Sequence, residues 1–165
     1  MVDRQRAYIK AKSAEGYHAI TWAPEYGGLG LGREYESAFA AVESKFVTSL
    51  SHEAVSITRD LIGPTIRAHG TPEQRQRFNA SLLRTDEVWC QLMSEPGAGS
   101  DVAAMTTKAE RHDDTWVVNG QKVWTSGAQF ADFGYLLART DPSVPKHRAS
   151  PRSPPTPANG APMVG

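Results

Sequence analysis

Apolar positions recur at helical spacing through the first half of this chain and at strand-like spacing in the second. Residues 3–14 read as the end of a helix, with Gly16 just past it as a stop. Residues 22–32 form a turn-rich loop holding Pro24, Gly27, Gly28, Gly30 and Gly32. Tyr35, Ala38, Phe39, Val42 and Phe46 then fall on one stripe of a helix, with Arg33, Glu34, Glu36 and Lys45 off it. A second periodic run covers residues 50–62. Gly63-Pro64 breaks or kinks that run, because proline lacks a backbone donor and clashes with the preceding turn. Gly70 is a stop. Thr71-Pro72-Glu73-Gln74 is a start: Thr71 is the N-cap, Pro72 sits at the first helical position, and Gln74 can reach back to the cap. That helix runs to about Leu83.

The pattern then changes. Residues 88–93 are short and apolar, as a buried strand is. Residues 106–109 are a second strand candidate, and residues 133–138 another. Trp116-Val117-Val118, Asn119-Gly120 and Gln121-Lys122-Val123-Trp124 together predict a hairpin, since Asn-Gly supplies the positive φ angles of a tight turn. Helices first and strands second argue for an α+β fold or two segregated parts, a helical one followed by an antiparallel β one. Helix is expected through about Leu83 and β structure over residues 88–139. No internal repeat is present.

Composition adds boundaries rather than identity. A chain of 165 residues makes one domain or two small ones. Formal net charge is zero, which gives no reason to expect a nucleic-acid or anionic-membrane partner. The single cysteine, Cys90, excludes an intrachain disulfide and suits a reducing compartment such as the cytoplasm. No apolar run approaches the roughly 20 residues that span a bilayer, and no apolar stretch follows the N-terminal charges as a secretory signal requires. The five histidines show no metal-ligand spacing, so no metal is expected. Gly28-Leu29-Gly30-Leu31-Gly32 is glycine-rich but follows no apolar strand, which argues against a dinucleotide phosphate loop.

Candidate chemistry sits in two turns. The first is Met93-Ser94-Glu95-Pro96-Gly97-Ala98-Gly99-Ser100-Asp101; the second is Lys122-Val123-Trp124-Thr125-Ser126-Gly127. Each follows an apolar run and carries free backbone donors and small hydroxyls, and Trp124 adds an aromatic face. A flat ring with polar edges, such as a flavin, needs those groups. The plain readings are a capped loop for the first turn and a core tryptophan for the second. Cys90 reads as a small packed hydrophobe.

The two turns together resemble the signature of the acyl-CoA dehydrogenase family. That pattern asks for an aliphatic residue, Ser or Thr, Glu, two free positions, a small residue, Gly, Ser or Thr, and Asp. Met93, Ser94, Glu95, Ala98, Gly99, Ser100 and Asp101 meet it in turn, and the small Ala104 follows. Leu92 departs from it, standing where the family has a small residue or Cys. Trp124-Thr125-Ser126, Trp22-Ala23-Pro24-Glu25-Tyr26-Gly27-Gly28 and the stretch from Gly63-Pro64 to Gln74 resemble the family as well. The likeness covers about residues 17–148.

The resemblance implies a helical domain over residues 1–86 and part of a middle β domain over residues 87–148. It implies FAD as cofactor and an acyl-CoA thioester as substrate, dehydrogenated between its α and β carbons. Gln91, Leu92, Met93, Ser94, Gly99 and Ser100 line the flavin in this picture. Met93 and Ser94 serve its pyrimidine edge, Trp124 packs on the ring, Thr125 adjoins it and Ser126 bonds near N5. Ser100 also meets the CoA arm. The family's general base lies in a C-terminal helical bundle; no residue here matches it, and Glu95 belongs to the signature rather than to that role. Electrons pass to an acceptor flavoprotein, and full-length relatives are homo-oligomers.

Residues 142–165 hold seven of the eleven prolines and no aromatic residue. A family strand is due near residue 149, and proline at that density cannot join a central strand. Residues 149–165 are therefore expected to be a disordered tail, of the kind a frameshift or premature end produces. The expectation is an acyl-CoA dehydrogenase-like flavoprotein whose isolated chain is incomplete and does not turn over. Two alternatives stand beside it: a non-catalytic, partner-binding remnant, and an acyl-CoA oxidase or flavin monooxygenase relative.

Overall fold

The computed structural model describes residues 2–46 and 52–141. The expected tail over residues 149–165 lies outside them. The chain divides into two compact units between Val88 and Trp89.

The first unit is helical. Helix α1 (Val2–Ala14) turns its Val2 and Ile9 onto Val55. It is fastened at both ends of its partners: Gln5 Oε1 accepts the His52 N–H at 2.6 Å, and Arg6 donates to the carbonyls of Thr85 and Asp86 at 3.1 and 2.8 Å. The loop that follows is held by its own backbone, Leu29 to Ala19 at 3.2 Å and Gly30 to Trp22 at 2.7 Å. A Cβ at Gly28 would stand 2.1 Å from the Trp22 carbonyl oxygen, so only glycine admits this approach.

Helix α2 (Arg33–Glu43) carries the expected apolar stripe as far as Val42, and Tyr35 and Val42 on it are exposed, as is Phe46 past the helix end. What ties α2 down is polar and aromatic. Lys12 donates to Glu43 at 2.7 Å and lies over the Phe39 ring, the Tyr8 hydroxyl donates to the same carboxylate, and Tyr17 stacks on Phe39. Burial together with this hydrogen bond to Glu43 pushes the Tyr8 hydroxyl up to about 12.

Helix α3 (Glu53–Ser56), a π-helical turn (Ile57–Ile62) and helix α4 (Gly63–His69) follow one another without a break. The expected break or kink at Gly63-Pro64 is thus a change of register. The Gly63 N–H donates to Thr58, five residues back, which widens the turn just where the Pro64 ring would strike a carbonyl of the regular helix. Residues 50 and 51, where the expected run begins, lie outside the described residues. Helix α5 (Pro72–Arg84) opens on the expected capping box and ends at Thr85 in the left-handed region. Ile62 and Leu82 are the fully buried centre, with Ala19, Trp22 and Leu83 clustered alongside.

The second unit holds four short strands among the described residues: β1 (Trp89–Leu92), β2 (Lys108–His112), β3 (Thr115–Asn119) and β4 (Phe133–Leu136). Only half of the pairing is the antiparallel kind the sequence suggested. β2 and β3 are antiparallel, from Lys108↔Asn119 to His112↔Thr115. β1 and β4 are parallel, from Trp89↔Phe133 to Leu92↔Leu136, with the Trp89 and Phe133 rings stacked. Beyond β4 the backbone crosses to β2, Arg139 donating to Thr107 and Ala109 to Arg139, both at 2.9 Å.

The hairpin turn is also displaced. It lies at Asp113-Asp114, with Asp113 at φ 53°, not at Asn119-Gly120. Asp tolerates the left-handed region better than most residues. Gly120 instead lets the chain pass close to Thr107, since a Cβ there would stand 2.3 Å from Thr107 Oγ1. Residues 121–124 consequently form no strand, and the strand expected over residues 106–109 begins at Lys108.

Candidate functional site

The first motif leaves β1 and makes a tight hairpin of its own. Glu95 and Ala98 exchange backbone hydrogen bonds at 2.9 and 3.1 Å, which turns the chain at Pro96-Gly97. Ala98 is buried, while Gly99 and Ser100 are exposed just beyond it. Gln91, Leu92, Met93 and Ser94 are each half-buried along and after β1. Leu92, the departure in the motif, closes against Gly134: a Cβ on Gly134 would meet Leu92 Cδ1 at 2.5 Å. The larger side chain is thus accommodated by the absence of one across the parallel pair.

The second motif is laid against the first. The Val123 N–H donates to the Ser94 carbonyl at 2.9 Å, and Lys122 Nζ donates to the Met93 carbonyl at 2.9 Å. Trp124, next along, has φ 59°. For a bulky side chain this is strained backbone, a condition found mostly where geometry serves a site. The Ser126 N–H closes the turn onto the Trp124 carbonyl at 3.0 Å. Trp124 is 84% exposed. The hydroxyls of Ser94, Thr125 and Ser126 make no hydrogen bond within the described residues. Met93, Ser94, Trp124, Thr125 and Ser126 therefore gather at one rim. No bond joins Ser100 to that group.

Sequence reasoning missed what holds the two loops together. The Glu95 carboxylate receives four donors: Thr106 N–H at 2.6 Å, the Thr106 hydroxyl at 2.7 Å, Thr107 N–H at 2.9 Å and Lys122 Nζ at 2.9 Å. The Glu95 and Lys122 side chains are only 3% and 8% exposed. Burial opposes ionisation of Glu95, but the donors of Thr107, Thr106 and Lys122 outweigh it and hold the carboxyl well below the usual carboxylate range. The available signal was Glu95 inside the first motif and Lys122 opening the second, with Asp101 as a competing acid at the first motif's end. A cleft of about 250 Å³ lies beside this pair, lined by Glu95, Pro96, Gly97, Ala104, Thr106 and Gln121.

Among the described residues no cluster of His, Cys, Asp or Glu is arranged to hold a metal ion. No described helix is long and apolar enough to cross a membrane. Burial pushes the Cys90 thiol up, away from the reactive thiolate.

The profile described as "Acyl-CoA dehydrogenase, N-terminal domain" matches residues 2–86, and "Acyl-CoA dehydrogenase, middle domain" matches residues 90–151. Acyl-CoA dehydrogenase IpdE1 of Mycobacterium tuberculosis is 39% identical over 145 residues, which are 88% of this chain and 37% of that protein. Acyl-CoA dehydrogenase FadE34 of the same organism is 59% identical over 85 residues, 52% of this chain and 12% of that protein. Among solved structures, the ChsE4-ChsE5 complex from Mycobacterium tuberculosis superposes with a TM-score of 0.69 at 36% identity, covering 88% of this chain and 36% of that one. The Tcur3481-Tcur3483 steroid ACAD gives the same TM-score at 37% identity, covering 87% and 36%. The chain thus spans little more than a third of the length of the relatives that match most of it.

Proposed function

The chain belongs to the acyl-CoA dehydrogenase family, and from that premise we propose that it forms the helical part and the flavin-facing rim of an enzyme that dehydrogenates acyl-CoA thioesters. Members of this family are flavoproteins. In this reading residues 1–86 are the N-terminal helical domain and residues 87–148 the beginning of the middle β domain. The cofactor is FAD.

The observation that carries the reading is the Val123–Ser94 backbone bond with the exposed Trp124 beside it. A flavin needs one aromatic wall and several donors along its edge, and the rim offers both. Trp124 supplies the wall. Gln91, Leu92 and Met93 supply the strand end, with Ser94, Thr125 and Ser126 providing hydroxyls that no other group occupies. Gly99 leaves its side of the loop open, and the exposed Ser100 serves the flavin and the CoA arm of a substrate. Each neutral hydrogen bond contributes about 0.5–1.5 kcal/mol, so binding depends on the set rather than on one member.

Bound at this rim, FAD would supply the hydride acceptor for a reaction in which a base takes the α-proton. Residues of this chain bind and orient. Glu95 does not serve as that base, because all four of its donors are intramolecular and its carboxylate is buried. In this reading the base and the second flavin wall come from the part of such enzymes that the matched stretch does not cover. This polypeptide alone then binds FAD weakly and does not turn over. The steroid ACAD among the similar structures makes a polycyclic acyl-CoA the first substrate to offer a complete enzyme.

The test is titration of the purified chain with FAD, followed by flavin fluorescence, then anaerobic addition of an acyl-CoA. Saturable binding that Trp124→Ala weakens about tenfold, with no bleaching, is the expected result. Absence of saturable binding overturns the cofactor assignment. Bleaching overturns the exclusion of a base from this stretch.

A further inference from the structure

We propose that Glu95 and Lys122 are positioning residues: their buried ion pair clamps the two loops together and holds Trp124 in the left-handed conformation that aims its ring outward. The consequence for flavin binding rests on the function proposed above; the clamp itself does not.

The geometry is a sequence of short links. Glu95 gathers Thr106, Thr107 and Lys122 onto one carboxylate. Lys122 spans from that carboxylate to the Met93 carbonyl, so one ammonium joins both sides of the first loop's entry. The next residue, Val123, continues the seam through Ser94. Trp124 follows at φ 59°, closed behind by Ser126. A bulky residue leaves that conformation unless its surroundings over-determine it. Lys122 and Val123 supply that determination on the amino-terminal side and the Ser126 bond on the other, while the residue itself is almost wholly in solvent.

A buried ion pair is a poor device for stability alone. Removing two charges from water costs much of what their attraction returns, and an apolar pair of similar shape holds a fold as well. What the pair gives is register: an ammonium between a carboxylate and a carbonyl fits one placement of the chain, whereas apolar contacts tolerate sliding. Glu95 and Lys122 sit in the two loops whose placement sets the rim. The fixed attitude of Trp124 is the property a flat ligand would read, since a mobile indole must be ordered at the moment of binding.

The experiment uses the full chain with Lys122→Met, which keeps an unbranched side chain one atom shorter and removes the charge. Glu95→Gln, isosteric and uncharged, keeps an acceptor oxygen for either Thr106 or Thr107 but not both, and serves if the first variant fails to fold. Hydrogen exchange is measured residue by residue without flavin. The expected result is exchange at Val123 faster by about tenfold or more, with the β2 and β3 amides unchanged. FAD affinity is then measured in a double-mutant cycle with Trp124→Phe. If the clamp acts through Trp124, the two substitutions are non-additive, and Lys122→Met removes most of the Trp124 contribution to the visible dichroism of bound flavin.

Unchanged Val123 exchange in a folded Lys122→Met or Glu95→Gln chain overturns the clamp. Additive losses overturn its action through Trp124. A wild-type chain that binds no FAD, with Val123 exchange still released by the substitutions, leaves the clamp standing and removes the proposed function instead.

Discussion

The Val123 amide donates to the Ser94 carbonyl at 2.9 Å, across 29 positions of sequence. This bond decides two things at once. It brings the second motif to the end of β1, so that Trp124 and Ser94 share a rim. It also commits the segment after Gly120 to that rim, so that segment cannot return along β3 as the second arm of a hairpin. The strand that does pair with β3 is β2, which precedes it.

Gly120 carries a prediction of its own. Its missing Cβ would meet Thr107 Oγ1, Cα and Cβ at 2.3, 2.7 and 2.7 Å, and two of those atoms belong to no flexible chain end. Gly120→Ala should destabilise the strand unit by about 1–3 kcal/mol, the usual cost of overfilling a packed site. Thermal unfolding measures it. A change within about 0.5 kcal/mol would mean that the chain does not pass Thr107 this closely.

Thr71 is the cleanest local test of the helical unit. Its hydroxyl accepts the Gln74 N–H at 3.3 Å, and Gln74 Oε1 accepts the Thr71 N–H at 2.9 Å. Thr71→Ala should cost about 1 kcal/mol. Thr71→Asp should recover most of it, since aspartate caps equally well and favours the helix N-terminus. Chemical denaturation of the three proteins checks the order.

These two sites also show what a sequence can reveal. The capping box was legible because every group in it lies within four residues, as does the left-handed Gly16 after α1. The Asn119-Gly120 pair was misleading for the opposite reason: its local preference for a turn lost to a contact with Thr107, twelve or more residues away. The parallel pairing of β1 with β4 joins residues 44 positions apart, and no periodicity encodes its direction. The motif residues were legible as a set, but the Glu95–Lys122 pair behind them was not, because single-letter patterns do not say which charges are buried together. The exposed stripe of α2 makes the same point: helical spacing of Tyr35 and Val42 gives the face and not what covers it.

His18 should make the helical unit acid-sensitive. It is buried, and neither ring nitrogen has a hydrogen-bond partner. Burial comes first among the causes that lower its pKa, followed by the charges of Arg59, Arg84 and Lys12, which Asp86 offsets in part. The unfolded chain therefore binds a proton that the folded one refuses. Stability is complete above the unfolded value of about 6.5 and falls as pH drops below it toward the folded value. Denaturation at pH 7.5 and at pH 5.5 should show the loss in wild type and a smaller loss in His18→Gln. Equal losses in both proteins would place the acid sensitivity elsewhere.

Trp124 separates the fold's interest from the site's. Its φ of 59° costs an L-residue about 1–2 kcal/mol, while the residue, 84% exposed, returns little packing. Two truncations remove the same indole but differ in backbone. Trp124→Ala keeps the strain; Trp124→Gly relieves it. The glycine variant should be more stable than the alanine variant by about 1 kcal/mol, although glycine is ordinarily the worse residue for a folded chain. Both should lose FAD affinity by a similar factor, because both lose the aromatic wall. If alanine were the more stable of the two, Trp124 would not occupy the left-handed region. If glycine alone retained affinity, the ring would not be the contact. The expected combination, stability regained while binding is lost, is what strain held for a ligand rather than for the fold should produce.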